Sequence, residues 1–263
     1  MAQERKPGLE GTFNTAVELY ERMRPTYPAE LYRDVFRYRP IGEHSRALEV
    51  GIGTGQATVP VLDTGATVDA VELGDELAAF CRQKFSDRPN FTVLNLDFQD
   101  FKAEPGTYDL IFSATAFHWI PEEFGYKRVL ELLKPGGAFA RFANRPYGDK
   151  GRPQLQAAIQ KHYARFMSGS VAPSEFSEAQ AAAIANIPAK YGFTDIEYKL
   201  YRRTRDFTSD EYLGLLGTYS DHIALEESAR REFWQCIKGE IDRFGGVITI
   251  YDTVDLELAR KPY

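Results

Sequence analysis

The run Ala47-Leu48-Glu49-Val50-Gly51-Ile52-Gly53-Thr54-Gly55 constrains this chain more than any other segment. Four residues of strand-forming character lead straight into three glycines at alternate positions, and a helix is expected from Gln56, bent or shortened by Pro60. A strand that stops at glycines and turns into a helix presents backbone N–H groups and the positive end of a helix. Small residues also let a ligand approach the main chain closely. A tight strand-to-helix turn with no ligand makes the same local pattern, so the loop alone does not name a function.

The segments that follow repeat this rhythm. Strands are read over Val68 to Glu72, Phe91 to Asn95, Asp109 to Ala114 and Ala138 to Ala143. Between them, Leu77, Phe80, Cys81 and Phe85 share one helical face, as do Tyr126, Val129, Leu130 and Leu133. Pro135-Gly136-Gly137 stops the second of these helices. Strands alternating with helices imply a parallel sheet covered on both faces. Two helices precede the first strand: one carries Ala16, Leu19, Tyr20 and Met23 on a face and ends at Pro25, and the other opens at Pro28. Later the cadence breaks. Gln154 to Phe166 is helical, a looser stretch from Ser168 to Ser177 leads to a helix ending near Gly192, and Thr194 to Phe207 is a long strand. Two helices follow, one capped by Thr208 or Ser209 and the other spanning about Glu226 to Phe244, before a last strand carrying Ile248, Ile250, Val254, Leu256 and Leu258. Two late strands without a βαβ unit predict an antiparallel finish to the sheet. The fold expected is therefore α/β, with a Rossmann-like, seven-stranded, mostly parallel sheet, helices on both faces, an antiparallel last strand and a helical lid.

Composition narrows the function classes. A net charge of -6 argues against a surface that grips nucleic acid through its phosphates. The one basic run, Lys199 to Arg205, reads as a solvated strand end. No apolar stretch approaches the ~20 residues that span a bilayer, and the polar stretch Met1 to Gly8 lacks the apolar middle of a signal peptide. Cys81 and Cys236 stand alone on amphipathic helices, which disfavours a zinc site and suggests buried free thiols in a reducing compartment. The expectation is a cytoplasmic protein handling a small molecule, with no metal, nucleic-acid or membrane partner and an oligomeric state that the sequence does not specify.

Spacing then separates the nucleotide folds. A dinucleotide fingerprint has its third glycine one residue later, as GxGxxG. Here Glu49 precedes a GxGxG string, and an acid that is awkward beside a pyrophosphate is favourable beside a cation. At the end of the second strand, Glu72 can accept hydrogen bonds from both hydroxyls of a ribose, a device shared with NAD enzymes. Together these residues resemble the first motifs of the class I S-adenosylmethionine-dependent methyltransferases. The likeness runs from about residue 47 to 140, through the fourth-strand string Tyr108 to Trp119 and the turn Leu133-Lys134-Pro135-Gly136-Gly137. It implies that Glu49 orders the loop and the amino-acid end of S-adenosyl-L-methionine, that Gly51, Gly53, Gly55 and Ala114 border the cofactor, and that Asp97 meets the adenine amino group with Phe98 beside the ring; Leu73 follows Glu72 at the same strand end. S-adenosyl-L-homocysteine is then the product.

The two ends of the chain resemble one branch of this superfamily, the methyltransferase type 11 or trans-aconitate methyltransferase-like proteins, through Phe13, Tyr20, Arg24-Pro25-Thr26-Tyr27-Pro28 and the stretch Val247 to Arg260. In this reading residues 1–40 form a helical segment over the cofactor, 41–150 the binding core, and 151–263 the lid insertions with the last two strands. Tyr20 and Arg24 are candidate cofactor contacts, the arginine beside a carboxylate of the methionine moiety or of the acceptor. Tyr27, Trp119 and Arg145 are candidate acceptor contacts, and His118 is a candidate base, although it packs the helix entrance equally well. His162 reads as a core residue; His44 and His222 show no partner in the sequence. The function expected is methyl transfer to a small acceptor through an oxygen, nitrogen or carbon nucleophile, a carboxylate among them. A noncatalytic cofactor-binding regulator stays open, and an NAD-dependent oxidoreductase is disfavoured by the glycine spacing. A nucleic-acid amino-methyltransferase is disfavoured by Ser113-Ala114-Thr115-Ala116, where such enzymes carry an Asn/Asp-Pro-Pro-aromatic string.

Overall fold

The computed structural model describes residues 17–167, 169 and 174–263. Phe13, Ala16 and part of the stretch from Ser168 to Ser177 lie outside the described residues. In chain order the elements are α1 (Val17–Met23), α2 (Ala29–Tyr38), β1 (Arg46–Val50), α3 (Val59–Leu62), β2 (Thr67–Glu72), α4 (Asp75–Lys84), β3 (Phe91–Asn95), β4 (Tyr108–Ala114), α5 (Glu122–Leu132) and β5 (Leu133–Tyr147). They continue with α6 (Pro153–Phe166), α7 (Glu178–Ala185), β6 (Thr194–Thr208), α8 (Ser209–Leu216), α9 (Ser220–Ile223), α10 (Glu227–Arg243) and β7 (Val247–Arg260).

The seven strands form one sheet in the order β3-β2-β1-β4-β5-β7-β6. The first five are parallel, and β7 runs antiparallel to both neighbours. The central strands are apolar on both faces, as a doubly covered parallel sheet requires. Ala47, Val68, Ala70, Leu110 and Phe112 meet residues of α2, α3 and α4 on one face. Leu48, Val50, Val71 and Ile111 meet Tyr126, Val129 and Leu132 of α5 on the other.

Two boundaries and one short helix differ from the sequence reading, each for a local reason. The chain after Gly55 makes turns and becomes helical only at Val59, because Pro60 is tolerated only in the first turn of a helix, and the helix ends after four residues in the turn that leads to Gly65, with φ of +87°. Strand β5 begins at Leu133 rather than Ala138: Tyr108 pairs with Leu133 and Leu110 with Ala138, so Lys134 to Gly137 bulge out of the ladder. Helix α9 is too short to show a periodicity in sequence. The cap of α8 is Thr208, which accepts from Glu211 N while Glu211 returns a bond to Thr208.

The lid helices have a core of their own. Leu155 and Ile159 of α6, Leu216 of α8 and Phe233, Ile237 and Ile241 of α10 pack with Ile248 and Ile250, where β7 projects beyond the parallel strands. His222 of α9, which lacked a visible partner in sequence, is buried there between Tyr163 OH at 3.0 Å and Trp234 Nε1 at 3.2 Å. His162 is half-buried, 3.5 Å from Glu240. The basic run on β6 is solvated at Lys199 and Arg202, as expected, but Arg203 and Arg205 are half-buried and both pair with Asp252, itself 2% exposed. Both cysteines are free; Cys81 is buried, whereas Cys236 is only partly so. Among the described residues, no helix is long and apolar enough to cross a membrane.

Candidate functional site

The carboxyl ends of β1, β2 and β4 open into one cavity of about 200 Å3, the place where a parallel sheet of this kind receives ligands. Its floor is the glycine loop. Gly51 and Gly53 have φ of +76° and +61°, a region that crowds any Cβ. Close contact adds to the requirement at Gly51, where a Cβ would stand 2.4 Å from that of Ala116. Gly51→Ala is therefore expected to lower the thermal midpoint by roughly 5–10 °C through overpacking and strain, which a thermal melt reads directly.

The loop amides are engaged within the protein, contrary to the expectation of donors displayed at a helix start. Gly51 N donates to Val71 O at 2.9 Å, Gly53 N to Glu72 Oε2 at 2.8 Å and Gly55 N to Ile52 O at 3.0 Å. The three glycine amides are thus already in use. Glu72, 8% exposed, also accepts from Gly74 N at 2.9 Å, so one carboxylate pins the loop and the turn after β2. Burial raises its pKa, opposed by those backbone bonds. Leu73 beside it is 45% exposed and lines the cavity, an apolar surface facing the opening.

Glu49 lies under the loop rather than on the cavity wall. It is fully buried; Thr58 Oγ1 donates to its Oε2 at 2.6 Å, and its Oε1 has no partner. Desolvation pushes its carboxyl up to about 8, with Thr58 and Lys84 opposing and Glu72 assisting.

Asp97 and Phe98 line the cavity past the end of β3, which lies beside β2, with Leu96 and Gln99. The Asp97 carboxylate accepts from Gln99 N at 2.8 Å, a local turn that fixes its direction. Phe98 is 4% exposed and packs on Phe101 and Phe124. Ala114 is half-buried on the same cavity.

The N-terminal segment forms the roof. Helix α1 is tied down by Glu21, which takes Lys84 Nζ at 2.6 Å and Gln56 Nε2 at 3.3 Å. Tyr20, Arg24, Pro25 and Tyr27 face the cavity. The Arg24 guanidinium sits between the rings of Tyr20 and Tyr219, at 4.8 and 4.7 Å from their centroids. Its Nη2 donates to Thr218 O at 2.6 Å, while its buried Nε has no partner. A cation held between two aromatic faces with a donor to spare is poised for an anion.

The sequence-predicted acceptor residues separate. Tyr27 and Trp119 line the cavity, with Asn144 and Pro146 nearby. Arg145 does not; its Nε and Nη2 fork onto the buried Asp255, each at 3.0 Å. His118 is also off the cavity wall, tilted against Trp119 at 5.2 Å. One side of His118 is open to solvent, but the protein around the ring desolvates it and, with Arg145, Arg141 and Arg24, pushes it down to about 4. Asn144 and Thr115 were not singled out as site residues in the sequence, whereas Tyr219 stood among the lid aromatics and does line the cavity. Thr115 has φ of +55°, which costs a β-branched residue about 1–3 kcal/mol and leaves no trace in a sequence pattern. Among the described residues, no group of three or more His, Cys, Asp or Glu converges as a metal site.

Comparison with known proteins agrees with this arrangement. Residues 47–137 match the family model described as a methyltransferase domain. An uncharacterized methyltransferase of Geobacillus sp. is 30% identical over 161 residues, covering 57% of this chain and 73% of that one. An uncharacterized methyltransferase-like protein of Schizosaccharomyces pombe is 26% identical over 245 residues, covering 93% of this chain and 90% of its own. A phosphoethanolamine N-methyltransferase of Haemonchus contortus, solved with S-adenosylhomocysteine, shares the fold with a TM-score of 0.56 and 18% identity, over 95% of this chain and 58% of that one. With β7 inserted antiparallel between β5 and β6 and a GxGxG loop over the first strand, the chain belongs to the class I S-adenosylmethionine-dependent methyltransferases, and its cofactor is S-adenosyl-L-methionine.

Proposed function

We propose that this methyltransferase acts on a small molecule bound under the roof formed by α1 and the lid. The observation that carries the reading is the enclosure of Arg24: Tyr20 from one side and Tyr219 of the lid from the other meet over a cavity of about 200 Å3. A roofed pocket of this size suits a small acceptor, whereas a polymer needs an open groove.

In this reading residues 17–40 cover the cofactor, 41–150 hold it, and the lid sets acceptor choice. Glu72 accepts from the ribose hydroxyls. Asp97 takes the adenine amino group, with Leu73 and Phe98 along the ring. The turn of Gly51, Gly53 and Gly55 and the end of β4 at Ala114 border the rest of the nucleoside. Glu49 stiffens the loop from below, and Tyr20 and Arg24 receive the methionine end, the spare Nε of Arg24 going to the carboxylate. Tyr27 and Trp119 form walls for the acceptor.

Methyl transfer is an in-line displacement, so the residues mainly align the nucleophile, methyl and sulfur and keep water out. His118 is uncharged at pH 7 because its pKa is pushed down to about 4, and it is a correspondingly weak base. That favours an acceptor already ionised in solution, a carboxylate among them. Arg145 acts on His118 through its field rather than by touching the acceptor. His118 reaches the cavity only through Trp119, against which it packs, so in His118→Ala affinity for S-adenosylhomocysteine should stay within about threefold while acceptor KM changes as Trp119 loses that support. Loss of folding in this variant defeats the role and leaves only packing.

Calorimetric titration with S-adenosylhomocysteine, with NAD in parallel, tests the cofactor half of the proposal. Micromolar binding of the former alone is expected, followed by a screen of carboxylate, phenol and amine acceptors. A folded protein that binds neither is a scaffold without this activity.

A further inference from the structure

Thr115 stands one residue past β4, on the cavity wall between Ala114 and Ala116. Its φ of +55° is one of two positive values among non-glycine residues described. The other belongs to Asp195, an exposed residue of a type that tolerates this region. Thr115 is β-branched, and its conformation persists only where the surroundings impose it.

Three hydrogen bonds impose it. Thr115 N donates to Phe142 O of β5 at 2.8 Å. Asn144 N donates to Thr115 Oγ1 at 3.3 Å. The same Oγ1 shares a hydrogen bond of 2.7 Å with the hydroxyl of Tyr27. The Tyr27 ring stands edge-on to Phe142, 4.7 Å between centroids. Tyr27 belongs to the short connection between α1 and α2, and Arg24 and Pro25 of that connection also reach the cavity. One hydroxyl therefore ties the N-terminal roof to the ends of β4 and β5.

We infer that Thr115 is a positioning residue whose hydroxyl latches the N-terminal segment shut over bound cofactor. The inference rests on the functional reading above, in which the cofactor fills this cavity. With the latch made, residues 24–28 sit on the cavity rim and the ligand leaves only after they lift. With either hydroxyl removed, the bond that joins the roof to the end of β4 is gone, and the roof opens more often.

The test uses S-adenosylhomocysteine as probe and the full chain, with association and dissociation rates measured on an immobilised sample. Thr115→Val keeps the branched shape without the hydroxyl, and Tyr27→Phe removes the other half of the bond. Each should speed dissociation about tenfold and leave association within about threefold, with the thermal midpoint little moved. The double variant should dissociate no faster than Thr115→Val alone, since the bond between Thr115 and Tyr27 is lost in all three and the bond from Asn144 N is already lost in Thr115→Val. Thr115→Ser should restore slow dissociation. Unchanged dissociation in the folded single variants overturns the latch, as does a double variant whose effects multiply to about a hundredfold. If Thr115→Val does not fold, Tyr27→Phe decides alone. Failure of the functional reading looks different: the unmodified protein then binds no S-adenosylhomocysteine at all.

Discussion

Replacing Glu72 with alanine is expected to weaken S-adenosylhomocysteine binding by about 10- to 150-fold. The figure follows from losing charge-assisted hydrogen bonds to ribose, about 1.5–3 kcal/mol, at 1.4 kcal/mol per tenfold. The effect has two sources. The carboxylate is the proposed ribose acceptor, and it also receives Gly53 N at 2.8 Å and Gly74 N at 2.9 Å. Alanine removes all of these at once, so the loop loosens as the ligand contact disappears. Glu72→Gln divides the two sources, because its single carbonyl oxygen keeps part of the backbone anchoring while the charge is gone. Calorimetry on both variants reads the affinities, and a thermal melt without ligand reads the loop. Full affinity in a folded Glu72→Ala protein would rule out the ribose contact.

Glu49→Gln should stabilise the ligand-free protein, and do so increasingly with pH. In the folded state desolvation pushes the Glu49 carboxyl up to about 8, far above its ordinary value near 4.3 in the unfolded chain. The folded state therefore holds a proton that the unfolded state has released. Below the unfolded value both states are protonated and the acid costs nothing. As pH climbs from there to about 8, stability is lost by roughly 3–5 kcal/mol. Glutamine is a neutral isostere whose oxygen can still accept from Thr58. Thermal midpoints of the two proteins should coincide near pH 4.5 and separate up to about pH 8, by roughly 5 °C or more at the upper end. Parallel pH profiles would place the Glu49 pKa near its solution value and remove the buried-acid argument.

These two acids differ in how far the sequence exposes them. Glu72 ends a strand a fixed distance past the glycine loop, and that spacing alone suggests a ribose acceptor. Its second role, holding the amide of Gly53, depends on β1 and β2 lying side by side. Glu49 is readable as an acid before GxGxG, but nothing in the string says that one of its oxygens ends without a partner. Arg24 shows the same limit. Its place before Pro25 suggests a helix end near a ligand, whereas the aromatic bracket joins residues 195 positions apart, from Arg24 to Tyr219. Arg145 follows the strand that the sequence assigns to it, yet a strand from the far end of the chain places Asp255 on it first.

The sequence by itself determined the alternation of strands and helices, the glycine loop, the acid at the end of β2 and the cofactor family. These are local matters of periodicity, backbone freedom and fixed spacing, and each is written within a few tens of residues. The tertiary structure decided the rest. It placed β7 between β5 and β6, engaged the loop amides internally, buried Glu49, closed the lid onto Arg24, and held Thr115 in a conformation its side chain disfavours. Each of those depends on contacts between residues distant in the chain, where desolvation and hydrogen-bond competition choose the partner, and local pattern carries no record of that choice.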